Sequence, residues 1–144
     1  MEGALDTEPQ PAVACTRLSS HPTSSAAARR FVRDVLYRWR VMVGDEVVLL
    51  CTDELVTNAI VHVGSDVELV MRNGEGVVRI EVHDRSPRPP LRRVPDEDEE
   101  SGRGLQLVDA LASRWGVEPV GAGKSVWFEV AVESDAASVP SSGW

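Results

Sequence analysis

Two alternating runs joined by a tight turn constrain this chain more than any other feature. Val67, Leu69 and Met71 recur at every second position, as do Val78, Ile80 and Val82, and NGEG (Asn73 to Gly76) stands between them. Period two sends successive side chains to opposite faces of a strand, so each run offers one apolar face. A Gly-containing tetrapeptide between two such runs signals a β-hairpin. A hairpin with one apolar face cannot stand alone in water and needs a second layer.

The residues before the hairpin supply that layer. Ala26 to Trp39 reads as a helix, with Phe31, Val35 and Leu36 on one face and HPTSS providing N-cap candidates before it. Gly44 and Asp45 break the chain, and a second helix is expected from about Glu46 to Val61, ending near Gly64. Ala12 to Leu18 is a candidate edge strand. After His83 comes DRSPRPPLRRVPDEDEESGRG, whose four prolines exclude a regular helix or a central strand. A third helix is expected from Gly104 or Leu105 to about Trp115, then a strand pair, Val117 to Val120 and Ser125 to Val132, around GAGK. The order β-α-α-β-β-lid-α-β-β implies an α+β fold, a two-layer sandwich of helices on one face of a mixed or antiparallel sheet. One domain over residues 12–133 is expected, with a lid at 84–103 and flexible tails at 1–11 and 134–144. No internal repeat is visible.

Composition narrows the function classes. The 144 residues suit one domain with a real core, and the aromatic share of 5% leaves that core to Val, Leu, Ala and Ile. A net charge of -8 argues against direct nucleic-acid binding and against an anionic membrane surface. It leaves room for a small anion held by local backbone N–H groups. The N-terminus lacks a signal-peptide pattern, and no apolar run approaches the roughly 20 residues that span a bilayer. Cys15 and Cys51 show neither CxxC nor metal-site spacing. The expectation is a soluble, reduced, cytoplasmic protein.

Four short stretches carry candidate chemistry. In DELVTNAIVH, Glu54, Asn58 and His62 are four residues apart, and each step advances about 40° round a helix, so they form one stripe beside the apolar Leu55, Val56, Ala59 and Ile60. Such a row is ordinarily a solvated face. Asn, however, is a mediocre interior helix residue, and a carboxylate and a carboxamide one turn apart can give oxygen ligands to a hard cation such as Mg²⁺. In VHDRSP, Asp84 follows an alternating run; it either terminates the strand or accepts a hydrogen bond from an exocyclic amine. In SGRGLQLV, Gly102, Arg103 and Gly104 precede Leu105 and an amphipathic helix. They are either a linker or a place where backbone N–H groups and a helix N-terminus meet phosphate. In GKSVWFEV, Lys124 and Ser125 open a strand; the role of most of it is a turn and a core strand, and Ser125 is a candidate to project a hydroxyl into the same pocket.

Taken in order, these pieces resemble the GHKL ATPase superfamily, with its Bergerat ATP-binding fold. ELVTNAIVH resembles the N-box, Asp84 stands where the first Gly-box Asp stands, GRGLQLV resembles the second Gly box, and GKSVWFEV resembles the closing strand with its Ser/Thr position. The resemblance covers roughly Arg29 to Val132. Among short members it is similar to the bacterial anti-sigma factor serine/threonine kinases, which bind a sigma factor and phosphorylate an anti-anti-sigma protein. It implies ATP and Mg²⁺ as cofactors, with Asn58 holding the metal against the triphosphate and Glu54 as general base. It further implies Asp84 on the adenine amino group, Gly102, Gly104 and Leu105 around the phosphates, Arg103 available to the γ-phosphate or to the protein partner, and Ser125 supporting adenine. A homodimer is a further implication. The resemblance gives His62 no role.

The chain departs from that pattern in the first Gly box. DxGxG is replaced by Asp84-Arg85-Ser86-Pro87-Arg88, so both glycines are missing and Pro87 has no N–H to offer. That substitution motivates an alternative expectation, a catalytically weak or inactive partner-binding module of the same fold. A sensor histidine kinase fits less well, for want of a membrane segment and a phosphoacceptor hairpin, and a gyrase-type clamp would need a transducer domain.

Overall fold

The computed structural model describes residues 12–64, 66–85 and 104–133. The expected tails at 1–11 and 134–144, and all of the expected lid beyond Arg85, lie outside the described residues. The elements run β1 (Ala12–Leu18), α1 (Ser24–Trp39), α2 (Asp45–Asn58), a π-helical segment (Ala59–Val63), β2 (Val67–Gly74), β3 (Val77–Asp84), α3 (Gly104–Leu111), β4 (Arg114–Val120) and β5 (Gly123–Ala131). The strands form a five-stranded sheet in the order β1-β2-β3-β5-β4, and each neighbouring pair is antiparallel.

The hairpin is as its residues dictate. Met71 lies opposite Ile80 and Leu69 opposite Val82, so both apolar faces fall on one side of the sheet. The connecting residues Glu75 and Gly76 both have positive φ, 55° and 81°, which matches the twist of the flanking strands. The next pairing carries the apolar rows across to β5, with Ile80 opposite Phe128 and Val82 opposite Val126. On this inner face Leu69, Met71, Val78, Ile80 and Phe128 are fully buried, together with Val32 and Val35 of α1, Val48 and Val56 of α2 and Val108 of α3. Helices on one face of an antiparallel sheet therefore share one core, an α+β two-layer sandwich. No helix among the described residues is long and apolar enough to cross a membrane.

Two expected boundaries shift. The third helix stops at Leu111 instead of reaching Trp115, and β4 begins at Arg114 instead of Val117. Ser113 N–H donates to the Glu129 carbonyl at 2.8 Å, and Trp115 pairs opposite Phe128. The sheet edge thus captures residues whose local pattern continues the helix. The second helix remains α-helical only to Asn58. From Ala59 the ladder widens to i→i+5, with Gly64 N–H reaching the Ala59 carbonyl at 3.2 Å, and Gly64 closes it in the left-handed conformation at φ 74°.

The outer face of the sheet holds a charged network around a buried carboxylate. Glu81 is 5% exposed. Arg72 Nε and Arg79 Nε each donate to its Oε2 at 2.9 Å, and His83 Nε2 lies 2.8 Å from its Oε1. Arg79 also lies over the Trp127 ring, 3.9 Å from its centroid. Burial pushes the Glu81 pKa up, but the hydrogen bonds from His83, Arg72 and Arg79 outweigh it and leave the carboxyl below its ordinary value. A lowered folded-state pKa stabilises the fold above the unfolded value, about 4.3 for Glu, and that stabilisation is lost as pH falls through the lowered folded value. Glu81→Gln should cost about 1–3 kcal/mol near neutral pH. Denaturant midpoints taken between pH 7 and pH 3 should fall more steeply for the parent chain than for Glu81→Gln.

Candidate nucleotide site

Helix α2 presents two polar rows beside its buried side. Val48, Cys51, Thr52, Leu55 and Val56 face the core, and Thr52 satisfies its hydroxyl by donating to the Val48 carbonyl at 2.7 Å. One polar row, Asp53 and Thr57, meets α1: Arg29 Nη1 donates to Asp53 Oδ1 at 2.7 Å, and Ser25 Oγ lies 3.0 Å from Thr57 Oγ1. The second row, Glu54 and Asn58, is half-buried on the neighbouring stripe. An interior Asn is thus separated from the residues that fasten the two helices. Asn58 is the last residue of the α-helical part of this row, and the chain continues from Ala59 as the π-helical segment.

The Glu54 carboxylate also bears on Cys51 in the core. Burial, with the Glu54 carboxylate adding to it, pushes the Cys51 thiol up to about 11. Cys51 is therefore a protonated core residue at neutral pH and plays no nucleophilic part. For a cation, the donors on this stripe are one carboxylate and one amide oxygen, which suits Mg²⁺ completed by water and phosphate. No group of three or more His, Cys, Asp and Glu side chains gathers as a metal cage among the described residues.

Asp84 closes β3 and is buried. Its carboxylate faces Lys124 of β5: Lys124 Nζ donates to Oδ1 at 3.1 Å and lies 3.0 Å from Oδ2. Register explains the meeting, because Asp84 pairs directly with Lys124. Both residues share the parity of Val82, Val126, Ile80 and Phe128, so the pair continues the inner row at the end of the sheet, on the side where α2 packs against β3 and β5. Gly123 makes this approach possible. A Cβ there would stand 1.9 Å from the Asp84 carbonyl oxygen and 2.8 Å from the Arg85 Cα.

Ser125 is not brought to this group. It lies opposite His83, and that parity belongs to the outer face with Glu81 and Trp127. Its Oγ and the Trp127 Nε1 are buried and have no hydrogen-bond partner among the described residues. Strand alternation therefore puts Lys124, not Ser125, beside Asp84. Leu105 is 5% exposed and belongs to the hydrophobic core, where it anchors α3. Gly104 is the first residue of that helix, and Gly102 and Arg103 lie outside the described residues. The sequence reading missed Lys124 and Gly123; the signal was the Gly-Lys dipeptide at the strand start, legible once Asp84 is set in register with it.

Two outcomes follow from these contacts. Gly123→Ala forces the ends of β3 and β5 apart and should destabilise the fold by about 1–3 kcal/mol, read as a lower melting temperature. A thiol reagent under native conditions should modify Cys15, which is exposed, while Cys51 stays buried and unreactive until the chain is denatured.

Comparison with known proteins agrees with the fold. The chain is 42% identical over 85 residues to the uncharacterized protein SCO4941 of Streptomyces coelicolor, an alignment covering 56% of this chain and 81% of that protein. Its structure is similar to that of the RsbU and RsbW domains of Rv1364c from Mycobacterium tuberculosis, with a TM-score of 0.62 at 17% identity. That match covers 84% of this chain and 32% of the other, so the chain spans about a third of the longer protein, and at this identity the likeness speaks for the fold alone. The family profile of the histidine kinase-like ATPase domain matches residues 18–130. With the profile spanning most of the chain and the fold agreeing with it, the chain belongs to the histidine kinase-like ATPase domain family.

Proposed function

We propose that this chain binds Mg·ATP and acts as an anti-sigma factor serine/threonine kinase, phosphorylating an anti-anti-sigma protein and sequestering a sigma factor in the cytoplasm. The observation that carries the reading is the half-buried Glu54–Asn58 row on α2, within a histidine kinase-like ATPase domain whose β3 ends in the buried Asp84. Mg·ATP supplies the transferable phosphoryl group and the neutralising charge. Asn58 contributes an oxygen to the metal. Glu54 orients the incoming Ser or Thr hydroxyl and takes its proton as the oxygen bonds to the γ-phosphorus and ADP departs. Asp84 accepts a hydrogen bond from the adenine amino group. The glycines 102 and 104, with Arg103, let the chain approach the phosphates. A homodimer belongs to the same reading.

A second reading is a partner-binding module with weak nucleotide affinity. It is favoured by the engagement of Asp84 with Lys124 and by the loss of both glycines from residues 84–88.

Labelled ATP, Mg²⁺ and a candidate anti-anti-sigma protein separate the two. The kinase reading expects label on a Ser or Thr of the partner, reduced about 10²–10⁴-fold by Glu54→Ala. A partner that binds yet stays unlabelled, with label also absent for Glu54→Ala, would establish the module instead.

A further inference from the structure

We infer that Lys124 reads the nucleotide base jointly with Asp84, donating to the purine ring nitrogen beside the exocyclic amine that Asp84 accepts. The inference rests on the nucleotide-binding reading above and adds to it a residue that the sequence reading gave no role.

The chemistry of the pair carries the argument. Asp84 is an acceptor and Lys124 a donor. Nζ lies 3.0–3.1 Å from the two carboxylate oxygens, on the inner face of the sheet and at its end. A 6-aminopurine presents a donor, its amine, next to an acceptor, its ring nitrogen, and a side-by-side carboxylate and ammonium complement that edge.

Stability is a weak reason for the pair to be there. The Asp84 and Lys124 side chains are 2% and 7% exposed, and burying two charges costs desolvation that their attraction does little more than offset. Inside a low-dielectric site, the same groups make strong, charge-assisted hydrogen bonds to a ligand. The local sequence leaves the task open to a side chain. Residues 84–88 contain no glycine, and Pro87 has no N–H, so this stretch lacks the bare backbone that would come close to a base. Gly123 then sets Lys124 in place, because only a residue without Cβ lets β5 start against the Asp84 carbonyl.

The test compares Mg·ATP with Mg·1-deaza-ATP, in which C–H replaces that ring nitrogen, by calorimetry on the full chain. The parent chain should bind ATP at least about tenfold more tightly, the worth of one charge-assisted hydrogen bond. Lys124→Met should bind the two nucleotides alike. A lysine serving only structure would lower both affinities together and keep their ratio. If Lys124→Met fails to fold by circular dichroism, Lys124→Gln, which keeps a polar end beside Asp84 but withdraws the charge, should narrow the ratio several-fold. Equal affinities in the parent chain, or an unchanged ratio in the folded variant, would overturn the inference and leave ATP binding standing. Failure of the parent chain to bind either nucleotide would overturn both.

Discussion

The antiparallel pairing of β3 with β5 is the constraint on which the rest of the molecule depends. It joins residues 77–84 to residues 124–131, partners that stand 40 or more positions apart in the chain. It sets Ile80 against Phe128 at the centre of the core, and it brings Asp84 to Lys124 at the end of the sheet. A slip of one residue would turn every side chain of β5 to the opposite face. Phe128 would leave the core, and Ser125 would replace Lys124 beside Asp84. Gly123 guards that register, since the closest approach of the two strands leaves no room for a Cβ.

The two faces of the sheet divide the polar residues by task. On the outer face, Arg72, Arg79 and His83 close round Glu81, and the network serves the fold. On the inner face, the Asp84–Lys124 pair continues an apolar row, where a structural ion pair is poorly rewarded. A similar division holds on α2. Asp53 and Thr57 fasten α1, whereas Glu54 and Asn58 lie on the next stripe. Fold and proposed site thus use adjacent rows of the same elements.

Much of this was legible in the sequence. The alternation around NGEG and the helical spacing before it are local signals, and each sets its own buried face, so the element order and the two-layer architecture follow from them. Glu54 and Asn58 stood out because an amide is a poor choice beside a helix core. What stayed hidden depends on contacts between distant segments. Trp115 sits in a run with helical character, and only the sheet edge draws it into β4. The widening of the helix after Asn58 has no period of its own to announce it. Lys124 and Ser125 are neighbours, and composition cannot say which faces Asp84; the register with β3 does.

The most direct test of the account is calorimetric titration of the chain with Mg·ATP, repeated on Asn58→Ala with the melting temperature of each measured alongside. Micromolar binding is expected for the parent chain, lost in the variant while its melting temperature is retained. Equal affinity in the two, or no binding by the parent chain, would contradict the assignment of the α2 row to a metal-bound nucleotide.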